Sequence, residues 1–170
     1  NLSNVLKLFR IASKDERQHI FYDAGVGTIG NANAWERFRQ DAKAVFGLAT
    51  GAGLDDNILS SYRFLVEHWR EGDRIFLFGF SRGAYTVRAL AGLLHKCGLL
   101  DSGSENLIPY AMQLFKHKPT VENRRVASEF KATFSRECKP HFIGVWDTVA
   151  SYGWIYNPVM LQYTANDPDL

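Results

Sequence analysis

The sequence predicts an α/β fold in which helices cover both faces of a mostly parallel sheet. Two apolar runs bounded by turns, residues 74–79 and 140–146, are typical of strands buried on both faces. Stretches with helical periodicity separate these runs, and strands that alternate with helices indicate a parallel sheet. We expect one domain over residues 1–170, because this length is typical of a single domain.

The helices and remaining strands follow from apolar spacing and capping residues. Residues 1–10 carry apolar side chains at helical spacing, and either Ser3 or Asn4 is suited to cap a helix there. His19–Tyr22 has the composition of a short strand, and Gly98 is placed to close a helix. In chain order, the other predicted helices cover residues 34–46, 55–70, 83–96, 107–116 and 121–134.

Composition excludes several classes of protein. Lys and Arg number 20 against 18 Asp and Glu, so a net charge of +2 provides no general attraction to nucleic acid, and we expect no such partner. Cys97 and Cys138 are too few for a disulfide framework or a structural zinc site, although one bridge between them stays open. We expect no metal and no cofactor. No apolar run approaches the roughly 20 residues of a membrane-spanning helix.

The segment Gly79–Gly83 matches G-x-S-x-G between a predicted strand and a predicted helix. In that setting a serine occupies a sharp turn with its hydroxyl exposed, and glycines on either side relieve crowding. We therefore predict that Ser81 is the nucleophile of a serine hydrolase. The backbone N–H of Arg82 and the start of the helix would then stabilise an oxyanion. The alternative is a tight turn whose small residues only allow the helix and strand to pack.

Asp147 follows the strand 140–146 and is the predicted catalytic acid. Its alternative role is to cap the next loop through an Asx turn. A serine on this kind of turn is followed along the chain by the acid and then by the histidine. All five histidines precede Asp147, so none fits that order.

A second glycine pattern, Gly25–Gly30, matches G-x-G-x-x-G. A dinucleotide site would need an acidic residue about 20 positions further on, and residues 43–52 contain none. We expect instead that Gly25, Val26 and Gly27 supply a second backbone N–H to the oxyanion.

Two arginines flank the proposed nucleophile. Arg82 and Arg88 would both attract the phosphate of a headgroup. For Arg88, an ion pair buried under the sheet is an equally good interpretation.

Three segments, residues 22–28, 72–85 and 144–149, resemble the α/β-hydrolase domain of type VI secretion phospholipase effectors and their uncharacterised bacterial and fungal relatives. The resemblance implies a three-layer α/β-hydrolase fold and a Ser-Asp-His mechanism, with Ser81 as nucleophile and Asp147 as acid. It implies a lipid or small ester substrate and, for an effector, a secretion-apparatus or immunity protein partner. The implied location is the bacterial cytoplasm or, for an effector, secretion into a target cell.

The family pattern also includes segments that these residues do not contain. It places a strand ending in Asp-Gly-Thr before Asn1 and a histidine-bearing segment after Leu170. We therefore expect residues 1–170 to be a piece of the domain, truncated at both ends and nearly inactive by itself. Two other functions stay open, an inactive hydrolase-like domain that binds a partner and an esterase or thioesterase acting on a non-lipid substrate.

Overall fold

A computed structural model describes residues 3–23 and 52–146, and this part of the chain has a mixed α/β architecture. The predicted helix over residues 34–46 lies outside the described residues. The elements are α1 (Asn4–Ile11), α2 (Ala52–His68), β1 (Ile75–Phe80), α3 (Arg82–Cys97), β2 (Leu99–Leu100), a 3-10 turn (Glu105–Leu107), α4 (Ile108–Lys116), α5 (Val121–Phe134), β3 (Ser135–Arg136) and β4 (Pro140–Trp146).

Strands β1 and β4 pair in parallel, as the sequence predicts, with Phe80 opposite Trp146. The chain crosses from one strand to the other through helices α3, α4 and α5. Because parallel strands end at the same edge of a sheet, the residues after Phe80 and after Trp146 start from neighbouring positions. A second ladder, between β2 and β3, is antiparallel and was not predicted, since two-residue strands show no periodicity.

The prediction that both strands are buried on both faces is wrong for the described residues. Ile75 and Leu77 belong to the core cluster, which also contains buried residues of α3. On the opposite face of the sheet, the side chains of Phe76 and Phe142 are 48% and 50% exposed. Successive strand residues point to opposite faces, so the packing of α3 covers only one of them.

Residues 19–22 do not form the predicted strand. Their rings lie along α2 instead: Phe21 stacks on Phe64 with centroids 5.1 Å apart, and His19 lies 5.3 Å from His68. Aromatic composition alone therefore misled the prediction, because ring packing against a helix satisfies these side chains without a neighbouring strand. Within the described residues, no helix is long and apolar enough to cross a bilayer.

Candidate active site

Ser81 forms the turn between β1 and α3 in a rare backbone conformation. Its φ of 54° and ψ of −118° make it the one non-glycine residue with positive φ in the described part of the chain. The Ser81 N–H donates to the Trp146 carbonyl at 3.0 Å, and the Ser81 carbonyl accepts from the Ala84 N–H at 3.0 Å. Strain of this kind costs roughly 1–3 kcal/mol and persists where the surrounding structure enforces it. The turn is therefore held from both the sheet and the helix.

The two glycines of the motif have different roles. A Cβ placed on Gly79 would lie 2.2 Å from the Gly83 carbonyl oxygen, so only glycine fits at position 79. A Cβ placed on Gly83 would meet no described atom within 4 Å. The prediction that both glycines relieve crowding is thus confirmed for Gly79, whereas the described residues show no crowding at Gly83. The difference arises because the backbone of α3 passes over position 79, while no described atom lies within 4 Å of a Cβ at position 83.

Ser81 is more enclosed than the exposed serine that the motif predicts. Only 8% of the residue surface is exposed, and its side chain does not cap the helix that follows. Within residues 3–23 and 52–146, the hydroxyl has no hydrogen-bond partner. The N–H of Arg82, at the first position of α3, is one of the helix-terminal donors that have no carbonyl partner within their own helix. A hydroxyl and a backbone donor, both without a described hydrogen-bond partner, are therefore adjacent at this turn.

Three of the five histidines lie at the end of the sheet opposite Ser81. His141 is five residues before Trp146, which corresponds to about 16 Å of strand, and its ring packs edge-on against Phe76. His68 is the last residue of α2, just before the turn that leads into β1, and His19 lies against it.

The remaining two histidines lie near the far end of α3. His95 is fourteen residues beyond Ser81 in sequence, which corresponds to about 21 Å along the helix. The carbonyl of His117 accepts a hydrogen bond at 3.1 Å from Lys96, in the last turn of α3. Each of the five rings is thus placed away from the Ser81 hydroxyl.

The other predicted site residues lie outside the described residues, namely Asp147 and the loop Gly25, Val26 and Gly27. The structure does describe where the strand before Asp147 ends. Trp146 pairs with Phe80 and its carbonyl accepts the Ser81 N–H. This role of Trp146 was missed, because strand register leaves no signal in a single sequence.

The arginines beside the turn differ in exposure. Arg82 is half-buried, whereas Arg88 is exposed, so the interpretation of Arg88 as a buried ion pair is wrong. The reason is that Arg88 lies on the solvent side of α3, away from the buried residues that pack into the core.

The cysteines do not offer a competing nucleophile. Cys97 and Cys138 are both free and buried, so the open alternative of a bridge between them is not seen. Burial raises the pKa of Cys97 to about 12 and that of Cys138 to about 11. Because the thiolate is the reactive form, both groups stay protonated and inert at neutral pH. Within the described residues, no group of three or more His, Cys, Asp and Glu side chains could hold a metal ion.

Comparison with known proteins identifies the family. Residues 1–168 match the T6SS phospholipase effector Tle1-like catalytic domain. The chain is also 36% identical over 166 residues to the uncharacterized protein YEL023C of Saccharomyces cerevisiae. The aligned region covers 89% of this chain and 24% of the yeast protein. The chain thus spans about a quarter of the length of that relative. No solved structure matches this chain. The chain belongs to the family of T6SS phospholipase effector Tle1-like catalytic domains.

Proposed function

We propose that this chain is the catalytic domain of a serine hydrolase that cleaves carboxylic esters of lipids, on an α/β-hydrolase fold. The observation that carries the proposal is the conformation of Ser81, a serine with φ of 54° between a parallel strand and a helix. A sharp, strained strand-to-helix turn is the setting in which a serine acts as a nucleophile. Membership of a phospholipase effector family supports a lipid ester as the substrate.

The proposed reaction has two steps. The Ser81 oxygen attacks the ester carbonyl carbon while a histidine removes the hydroxyl proton, and the lipid alcohol then leaves with that proton. Water hydrolyses the resulting acyl-serine to release the fatty acid and restore the hydroxyl. The N–H of Arg82 stabilises the oxyanion in both steps, together with a donor from Gly25–Gly27.

The acid and base complete this mechanism. Asp147 orients the histidine and stabilises its charged form. We assign the histidine to a part of the protein outside residues 1–170, because all five histidines described above lie away from Ser81. The domain is similar to part of a yeast protein as well as to secretion effectors, so the proposed chemistry does not depend on secretion.

A second candidate function is partner binding by an inactive domain. It is favoured by two observations, the 8% exposure of Ser81 and the distance of the described histidines from it. The two functions differ in the reactivity of one hydroxyl, because an inactive domain has no need of an activated serine.

The test is labelling of the full-length protein with a fluorophosphonate probe. We expect the wild type to be labelled and Ser81→Ala to be unlabelled, with circular dichroism spectra that superimpose. The matched control is Ser128→Ala, which removes an exposed hydroxyl of α5 and should leave labelling unchanged. Equal labelling of Ser81→Ala would exclude Ser81 as the nucleophile. A folded wild type that takes up no probe would support partner binding instead.

A further inference from the structure

We infer that Arg82 is a specificity-determining residue, whose guanidinium binds the phosphate of a lipid headgroup while Ser81 attacks the ester. The inference rests on the proposed function, since it concerns the substrate of that same site. Arg82 directly follows Ser81 and is half-buried at the first position of α3. A planar guanidinium matches the oxygens of a phosphate with two parallel hydrogen bonds, which makes arginine well suited to this ligand.

Among the described residues, no acidic side chain in the first turn balances the positive charge at this end of α3. The start of a helix carries a partial positive charge and is stabilised by acidic side chains. The first turn of α3 contains no acidic residue and begins with Arg82 instead. A half-buried cation therefore adds to the positive end of the helix at the proposed site of reaction.

The described carboxylates do not neutralise Arg82. Asp55 pairs with Lys116, Asp101 lies 3.3 Å from Arg136, and no ion pair within the described residues includes Arg82. The adjacent Ser81 is 8% exposed and its hydroxyl has no described partner. Ser81 and the cation of Arg82 are thus consecutive residues at one helix end, and an ester that carries a phosphate would engage both.

Asp147 is the competing partner for Arg82. Asp147 follows Trp146, whose carbonyl accepts the Ser81 N–H. An ion pair between Arg82 and Asp147 is therefore the alternative that must be distinguished from headgroup binding. The two interpretations predict different kinetics. Loss of a headgroup contact affects phosphate-bearing substrates alone, whereas loss of an ion pair with the catalytic acid affects every ester.

The experiment compares Arg82→Gln, Arg82→Lys and wild type as full-length proteins. The substrates are phosphatidylcholine and diacylglycerol with the same acyl chains, each in mixed micelles of a non-ionic detergent. We expect Arg82→Gln to lose about tenfold to a hundredfold in kcat/KM on phosphatidylcholine, the range for hydrogen bonds to charged groups. The loss on diacylglycerol should be clearly smaller, because diacylglycerol carries no phosphate. Arg82→Lys keeps the charge without the bidentate geometry, so its kcat/KM on phosphatidylcholine should lie between those of Arg82→Gln and wild type.

The matched control is Arg124→Gln, which replaces an exposed arginine of α5 and should behave as wild type on both substrates.

A binding measurement separates this inference from the proposed function. In the Ser81→Ala background, Arg82→Gln should weaken binding of dihexanoyl phosphatidylcholine about tenfold or more and leave dihexanoyl glycerol unchanged. Because Ser81→Ala lacks the proposed nucleophile, this measurement tests headgroup binding without depending on hydrolysis. A loss of binding for the phosphate-bearing lipid alone would support Arg82 as a headgroup residue. Equal losses on both lipids, or no loss on either, would overturn the assignment.

Discussion

The two ends of helix α3 are held in opposite ways. At the C-terminal end, Gly98 takes a positive φ of 72° without a Cβ, and its N–H donates to the Leu94 carbonyl at 2.9 Å. The Tyr62 hydroxyl donates to the Gly98 carbonyl at 2.8 Å and accepts from the Leu100 N–H at 3.0 Å. At the N-terminal end, Ser81 takes a positive φ with a Cβ and makes no capping bond.

The charged side chains at the two ends of α3 differ as well. His95 and Lys96 lie in the last turn, where cations are favourable, and Lys131 donates to the His95 carbonyl at 3.0 Å. The first turn carries Arg82 and no acid. The C-terminal end of α3 therefore follows the rules for a stable helix, and the N-terminal end departs from them in backbone and in charge. Such departures concentrate at functional sites, which supports placing the chemistry at Ser81.

The largest effect is expected from Asp147→Asn, which replaces the proposed catalytic acid. We expect kcat of the full-length protein to fall roughly 10⁴-fold, because the amide would hold the histidine in the wrong tautomer. The unfolding midpoint should be unchanged. The control is Asp101→Asn, which alters an exposed carboxylate beside Arg136 and should leave kcat as in wild type. A variant at position 147 that keeps most of its kcat would place the acid elsewhere.

A large loss of stability is expected from Gly79→Ala. The added methyl group would lie 2.2 Å from the Gly83 carbonyl oxygen, so strand and helix must move apart. We expect the free energy of unfolding to fall by roughly 3–5 kcal/mol, measured by urea denaturation. The matched change, Gly83→Ala, should stay within about 1 kcal/mol of wild type, since alanine favours helix and its methyl group would meet no described atom within 4 Å. Equal destabilisation by the two changes would contradict the difference between the two glycines.

At the other end of α3, Tyr62→Phe should affect stability and leave the chemistry intact. The change leaves the Gly98 carbonyl and the Leu100 N–H without their buried hydroxyl partner. We expect the free energy of unfolding to fall by about 2–4 kcal/mol, while the folded protein still takes up a fluorophosphonate probe. Tyr110→Phe, at a 46% exposed tyrosine of α4, is the control and should change neither quantity. Loss of labelling in folded Tyr62→Phe would show that the two ends are coupled.

The smallest effect on stability is expected from Ser81→Gly. Glycine adopts a positive φ without strain, and Ser81 contributes no capping bond that could be lost. We expect the free energy of unfolding to rise by about 1 kcal/mol, while labelling disappears. Ser81→Ala keeps the Cβ and should match wild type in stability. A lower stability for the glycine variant would mean that the Ser81 backbone is not strained.

Local patterns predicted the described helices and the two longer strands closely. The bounds of α5 and β4 coincide with the predicted ranges, and Gly98 closes α3 as expected. These elements carry their signals within themselves, as apolar runs, apolar spacing and terminal glycines. His19–Tyr22 was predicted as a strand from composition, although its rings pack against α2. A strand needs a partner strand, and four residues of sequence do not specify one.

By itself, the sequence determined the α/β class and the position of Ser81 between a strand and a helix, because both depend on residues close together in the chain. The tertiary structure decided three further points. It joined Ser81 to Trp146, assigned a steric requirement to Gly79, and placed the histidines away from the turn. Each of these depends on the register and packing of segments far apart in sequence. Such contacts form only when β1, α3 and β4 assemble, so no local pattern encodes them.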